Sequence, residues 1–235
     1  MIPRRRFWRE VAVLPVPDGF AVALDGRPLR IPAAAALRVP TRAFAEAIAA
    51  EWRAVEGEIR PERLPFTRAA NAAIDRVAPD PGPVVAHVAG YGASDLLCYR
   101  AEGPEALRRR QDAAWDPPLA WAAATLGAPL VVVSGVIHRD QPPASLAALR
   151  EAVAAEEPFA LAALHELATL SGSLVLGLAV SRRALDAADA WERSRLDEAW
   201  QAELWGEDAE AAAAAEGRRA AFLDAARMLD LLSDR

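Results

Sequence analysis

The first third of the chain carries short apolar runs separated by turn signals. Apolar residues recur from Val11 to Val16 and again from Phe20 to Leu24. The turn sequences Pro17-Asp18-Gly19 and Asp25-Gly26 follow the first and second runs, and a two-residue Asp-Gly turn is typical of a β-hairpin. With a further run at residues 27–31, the pattern predicts a small antiparallel meander.

Helical spacing begins after a further predicted strand at residues 37–39. Thr41 is a typical N-cap for a helix over residues 42–55, and Gly57 lies where that helix would close. Four apolar residues share one face of this helix: Phe44, Ala45, Ile48 and Trp52. These four residues have the spacing of a core-facing stripe.

Past the proline-bounded connector at residues 61–65, the sequence becomes rich in Ala and Leu. The change predicts an α+β protein with a small β-rich N-terminal domain (1–64) and a mainly α-helical C-terminal domain (65–235). Residues 94–100 fit either strand or helix, and residues 129–133 fit a lone strand or an extended segment. Helices are predicted over residues 67–77, from Asp80 onward, and over 104–114, 119–126, 143–156, 158–170, 172–180, 183–205 and 207–232, with a break at Trp115-Asp116-Pro117-Pro118.

The predicted helix 183–205 places a carboxylate between two indoles. Trp191, Glu198 and Trp205 are seven residues apart and would form one stripe on the helix. One explanation is an intrahelical partner for the acid, either Arg195 or Gln201, since such pairs lie within side-chain reach. The other is that Glu198 meets a donor on another protein, with aromatic surface around it.

The tryptophans add to this second hypothesis. The chain has seven, against two tyrosines. If Trp200 joins a buried seam, Trp191 and Trp205 are left on a different face, where exposed apolar surface usually marks a partner site. The seam would be completed by Leu185, Leu196 and Leu204.

Charge and composition exclude several classes of function. The formal net charge is −6, which argues against a nucleic-acid-binding protein. All 27 basic residues are arginine, so neither a lysine Schiff base nor a P-loop lysine is available. The apolar stretch at residues 174–180 is too short to span a membrane. We expect neither nucleic-acid binding nor membrane insertion.

Cysteine and histidine usage argues against a metal or cofactor. Cys98 is the only cysteine, which forbids an intrachain disulfide and fits a reducing cytoplasm. His87, His138 and His165 are isolated from one another in the sequence and form no ligand pair at metal-binding spacing. The sequence predicts a cytoplasmic protein with no metal and no cofactor.

An enzyme remains the alternative hypothesis. Ser171 or Ser173 with His165 could serve a small-molecule hydrolase, with some acid completing the set. No Gly-x-Ser-x-Gly nucleophile elbow is present, and sequence alone does not bring these side chains together.

Several segments together resemble one family, the assembly chaperones that bind the alpha subunit of the catalytic F(1) sector of F-type ATP synthase, found in mitochondria and alphaproteobacteria. The matching pieces run in order across nearly the whole chain. They are Phe7-Trp8, Leu24-Asp25-Gly26-Arg27-Pro28-Leu29, Glu51-Trp52, Pro65 with Thr67, Ile74-Asp75, Tyr91, Asp95-Leu96-Leu97-Cys98-Tyr99-Arg100, Gln111, Trp115-Asp116-Pro117, Gly172-Ser173, Asp197-Glu198, Gln201 and Trp205-Gly206.

The resemblance implies a chaperone without catalysis, which covers the alpha-subunit surface that later meets the beta subunit. It also implies that an acid in the helix ahead of Trp-Gly is essential for alpha binding, and Glu198 is the match, with Asp197 adjacent. The expected partner-binding residues are Glu198, Asp197, Trp191, Gln201, Trp205, Gly206 and Asp208.

Overall fold

Four strands near the N-terminus form an antiparallel sheet in the computed structural model, which describes residues 5–32, 35–206 and 208–233. They are β1 (Val11–Val16), β2 (Gly19–Leu24), β3 (Arg27–Pro28) and β4 (Arg38–Val39). β2 pairs with β1 along its whole length, and its other edge pairs with β3 near one end and β4 near the other. The predicted meander is confirmed.

The turn between β1 and β2 requires glycine at its end. Gly19 has a φ of +146°, and a Cβ added there would lie 2.3 Å from the carbonyl oxygen of Val39. Any side chain would therefore push β4 away from β2. The glycine sets how closely β4 can approach.

Two helices complete this region, α1 (Arg42–Arg53) and α2 (Pro65–Ala72), the second running on as a π-helical turn at Ala73–Val77. The predicted cap is confirmed, since Thr41 Oγ1 accepts from the Phe44 amide at 3.2 Å. α2 has no side-chain cap of its own. Instead the Glu51 carboxylate, on α1, accepts from the amides of Phe66 (2.5 Å) and Thr67 (2.9 Å). Amides in the first turn of a helix have no acceptor within the helix, so Glu51 supplies one.

The chain divides into two compact units. The first, here called the N-terminal unit, comprises Met1–Pro81, Glu157–Ala163 and Arg227–Arg235; the second, the helical unit, comprises Gly82–Glu156 and Leu164–Ala226. The predicted division into domains 1–64 and 65–235 stays a prediction. In the N-terminal unit, Trp8, Val22, Phe44 and Ile48 are among the buried side chains that pack the sheet against α1.

The remaining elements are mostly helices. They are α3 (Gly82–Gly90), α4 (Glu105–Leu126), α5 (Pro143–Ala154), α6 (Pro158–Ser171), α7 (Leu174–Ser181), α8 (Ala187–Ser194), α9 (Leu196–Trp205) and α10 (Ala209–Ser233). β5 (Tyr99–Arg100) and β6 (Val133–Ser134) pair in parallel. Residues 91–98 form 3₁₀ turns ahead of β5. The predicted start of the last helix, Glu207, lies outside the described residues.

The predicted break at Trp115–Pro118 was wrong, because α4 continues through both prolines. A proline at 118 cannot donate to the carbonyl of Ala114, which would ordinarily end or kink a helix. Here the guanidinium of Arg193 donates to that carbonyl instead. The compensating donor comes from 79 residues away along the chain, so the local sequence gave no sign of it.

α7 is buried on all sides from Leu174 to Val180, and a buried acid holds its start. The Asp95 carboxylate accepts from the amides of Leu97 and Val175, both at 3.0 Å. Burial raises the pKa of Asp95, and the hydrogen bonds from Val175, Ser173 and Leu97 oppose that rise. This one side chain thus fixes both a 3₁₀ turn and a helix N-terminus.

Arg100 is the largest charged side chain in the interior of the helical unit. Its guanidinium donates to Asp112 at 3.0 Å and to Asp116 at 2.6 Å, and it stacks on the Trp115 ring at 5.1 Å. A buried charge needs such partners to offset its desolvation. The contacts tie β5 to the middle of α4.

Cys98 should be unreactive in the folded protein. Burial raises the pKa of its thiol to about 12, with the Asp95 charge adding to the effect. Since the thiolate is the reactive form, a disulfide reagent such as DTNB at pH 8 should label the native protein only at its unfolding rate. Urea should release one full equivalent of reaction. Native labelling as fast as in urea would contradict the buried thiol.

Within the described parts of the chain, no helix combines the length and apolar character needed to cross a bilayer.

Candidate functional site

The predicted helix 183–205 is two helices, and this corrects the sequence interpretation. α8 ends at Ser194 and α9 begins at Leu196. In a continuous helix the Arg195 amide would bond to the Trp191 carbonyl, but Ser194 Oγ takes that carbonyl at 2.7 Å. The Arg195 amide turns to Glu192 instead.

A second side chain, on α4, stabilises the break between α8 and α9. Trp115 Nε1 donates at 2.9 Å to the carbonyl of Arg193, which a continuing helix would have offered to the Asp197 amide. Two carbonyls in one turn are therefore occupied by side chains. α9 therefore does not continue the turn of α8, and its side chains do not point where a single helix over residues 183–205 would place them.

The predicted stripe of Trp191, Glu198 and Trp205 is consequently divided. Trp191 is buried against Phe222, with ring centroids 5.6 Å apart. Trp205 is 77% exposed. The expectation that both indoles frame Glu198 was wrong, and only Trp205 is available to a partner.

The predicted buried seam was also wrong. Leu204 is 55% exposed, and Trp200 and Leu196 are only half-buried, as is Leu185. No residue of α9 is fully buried. A helix with so little buried surface cannot be held mainly by hydrophobic packing.

Polar contacts with α4 attach α9 instead. Arg110 donates to both carboxylate oxygens of Glu203, at 2.7 and 2.8 Å, and its guanidinium lies 4.7 Å from the Trp200 ring centroid. The Arg110 hydrogen bond lowers the pKa of Glu203. On the opposite side of the helix, Glu198, Gln201 and Trp205 are exposed.

Gln111 adds a second attachment, from a buried position. Its Nε2 donates to Asp197 Oδ1 at 2.7 Å, and its Oε1 accepts from the Ala101 amide at 2.8 Å. Both ends of the amide are thus used, as a buried amide requires. From the sequence, Arg110 falls only within a predicted helix and Gln111 is one piece of the family resemblance. Their roles depend on residues of α9 that lie 86 and 93 residues away along the chain.

The two adjacent acids therefore differ. Asp197 is half-buried and occupied by Gln111. Glu198 has a side chain that is 60% exposed, and among the described residues its ion pair is to Arg195 at 3.1 Å. The intrahelical pairing considered from sequence exists, yet the carboxylate stays open to solvent, where such a pair is weak.

The other predicted partner-binding residues lie at the end of α9. Gln201 and Gly206 are exposed, and Gly206 ends the helix with a φ of +85°. Asp208 is exposed as well, and its carboxylate accepts from the Ala211 amide at 2.8 Å, which caps α10. We call the exposed set Glu198, Gln201, Leu204, Trp205 and Gly206 the α9 surface.

The serines of the hydrolase hypothesis have structural partners. Ser171 Oγ donates to the Leu167 carbonyl at 2.7 Å, and Ser173 Oγ accepts from the Leu176 amide at 3.0 Å as the cap of α7. Both are buried, whereas the ring of His165 lies beside that of His87, with centroids 5.3 Å apart. Among the residues described, no group of three or more potential ligands is placed to hold a metal ion.

Comparison with known proteins gives consistent matches. A family model described as ATP12 chaperone protein matches residues 5–123. The crystal structure of Atp12 from Paracoccus denitrificans is 51% identical with a TM-score of 0.92, covering 97% of this chain and 98% of that one. An aspartate-to-lysine mutant of that protein matches with the same identity and TM-score, covering 97% of both chains. The Agrobacterium tumefaciens protein Atu1473 is 42% identical with a TM-score of 0.93, covering 97% of this chain and 86% of that one.

Proposed function

The chain belongs to the ATP12 chaperone family, whose role lies in ATP synthase assembly, and we propose that its own task is to bind the unassembled alpha subunit of the F-type enzyme. The binding site is the alpha-subunit surface that later meets the beta subunit. The chaperone keeps this apolar surface from aggregating until the ring forms, and it acts in the cytoplasm without catalysis or a cofactor.

The observation that carries the proposal is the exposed end of α9. Leu204 and Trp205 present apolar surface to solvent on a helix that also offers the Glu198 carboxylate. Exposed indoles are frequent interface anchors, and large exposed apolar side chains usually mark a partner site. The complementary patch is an apolar pocket for the indole with a cation beside it.

Glu198, and not Asp197, is the docking acid in this proposal. The Asp197 carboxylate already accepts from Gln111, so a partner would have to break that bond to reach it. Glu198 needs only to exchange its solvent-exposed pairing with Arg195. We assign Asp197 the task of holding α9 in place, which fixes the direction in which Glu198 and Trp205 point.

A pull-down with separately expressed subunits tests the proposal. The immobilised chain should retain the alpha subunit and not the beta subunit, because the proposal places the matching pocket and cation on the alpha subunit. Trp205→Ser should bind the alpha subunit at least about 30-fold more weakly, since a buried indole anchor contributes about 2 kcal/mol or more. Retention of beta alone, or of neither subunit, would contradict the proposal.

A further inference from the structure

Val136 and Ile137 form the most exposed apolar feature among the described residues. Their side chains are 92% and 82% exposed, and they are adjacent in the loop after β6. Burying such a side chain on a partner is worth about 1.5 to 3 kcal/mol before the costs of association. We call this pair the 136–137 tip.

Hydrogen bonds anchor the residues on both sides of the tip. Three hydrogen bonds flank it: Gly135 N to the Arg100 carbonyl at 2.8 Å, Arg108 Nη1 to Ser134 Oγ at 2.6 Å, and Tyr99 Oη with His138 Nδ1 at 3.1 Å. A segment fixed before binding loses less conformational entropy when a partner covers it. The tip is therefore a presented surface, anchored close to both ends.

The first turns of α4 connect the tip to the α9 surface within the helical unit. Arg108 reaches Ser134 beside the tip, and Arg110 reaches Glu203 on α9. Residues two apart on a helix point about 200° from one another and differ by about 3 Å along its axis. The tip and α9 thus lie on either side of α4, and because the α9 surface is on the side of α9 away from α4, the two surfaces are separated by the widths of two helices, about 20 Å.

One protein partner is large enough to cover both surfaces. A standard interface buries about 800 Å² on each partner, which corresponds to a patch roughly 30 Å across. The combined width of α4 and α9, about 20 Å, falls within that span. The α9 surface and the tip are continuous in this sense, with Arg109 of α4 exposed between them.

We propose that the 136–137 tip is a second contact for the same alpha subunit, inserting two β-branched side chains into an apolar depression on it. This contact rests on the proposed function and deepens it, because the chaperone then binds the alpha subunit at two places, one on each side of α4. Glu198 on α9 fixes the position of the alpha subunit, and the 136–137 tip adds buried apolar area to the interface.

The double variant Val136→Ser/Ile137→Ser tests the contact. It should bind the alpha subunit about 10- to 100-fold more weakly by isothermal titration or surface plasmon resonance, while its melting curve stays unchanged. The matched control is Val136→Ile/Ile137→Val, which keeps apolar surface at both positions and should bind within about threefold of the wild type.

The outcomes separate this contact from the function it rests on. If Glu198→Lys abolishes alpha binding and the serine variant binds as tightly as the wild type, the tip contact is overturned and the function stands. If the wild type retains no alpha subunit, both fall. If the wild type sediments as a dimer and the serine variant as a monomer with alpha binding intact, a second copy of the chain covers the tip and the contact is overturned.

Discussion

Glu198→Lys should abolish binding of the alpha subunit while leaving the chaperone folded. Reversing a charge that pairs with a cation at a desolvated contact costs about 2 to 5 kcal/mol or more, which is about 30- to 5,000-fold or greater in affinity. The loss in stability should stay below about 1 kcal/mol, because Glu198 is exposed and its partner Arg195 is only three residues away, at the N-cap of α9. Titration calorimetry with the alpha subunit and thermal melting by circular dichroism measure the two effects.

Glu216→Lys is the matched control. The Glu216 side chain is 68% exposed and pairs with Arg219 at the same three-residue spacing, on α10. It should lose the same small amount of stability and bind alpha normally. Equal loss of binding in both variants would show a general effect of charge, and a Glu198→Lys variant that unfolds would show that the acid is structural.

Asp95→Ala should produce the largest loss of stability. It removes the acceptor of two buried amides, Leu97 N and Val175 N, and an unsatisfied buried donor costs about 1 to 3 kcal/mol. We expect a loss of about 3 to 5 kcal/mol in the free energy of unfolding, measured by urea denaturation. Asp95→Asn keeps one acceptor oxygen and should lose less. Asp140→Ala, at a fully exposed carboxylate, should lose almost nothing.

The pH dependence of the free energy of unfolding, compared between the wild type and Asp95→Asn, tests the burial of Asp95. Burial raises its folded pKa above the ordinary value of 3.8, so the native state binds this proton more tightly than the unfolded state does. The free energy of unfolding of the wild type, relative to Asp95→Asn, should therefore fall as the pH rises above 3.8 and level off beyond the folded pKa. Parallel curves would contradict the raised pKa.

Many of the segments that carry the family resemblance stabilise the fold in this structure. Glu51 caps α2 at Phe66 and Thr67, and Asp95 caps α7. Arg100 and Gln111 fasten β5 to α4 and α4 to α9. A motif in a sequence does not distinguish such roles from partner binding, because both use the same polar side chains.

Local sequence patterns correctly predicted the structural features that depend on residues close together in the sequence. The hairpin from Val11 to Leu24 and the Thr41 cap were confirmed because a turn, a cap and an alternation each involve residues a few positions apart. The α+β class was confirmed for the same reason. Helix continuity failed at two places, Pro117-Pro118 and Arg195, where distant side chains replace or occupy backbone hydrogen bonds.

The sequence by itself determined the class of fold, most helices and strands, and the acidic, aromatic character of the segment before Gly206. Only the tertiary structure decided which of those side chains face solvent. Trp191 became core and Trp205 surface because Trp115 and Ser194 bond to carbonyls of α8 and turn the chain between them. Burial of a side chain is a property of all the elements around it, and those elements are brought together only by the folded chain.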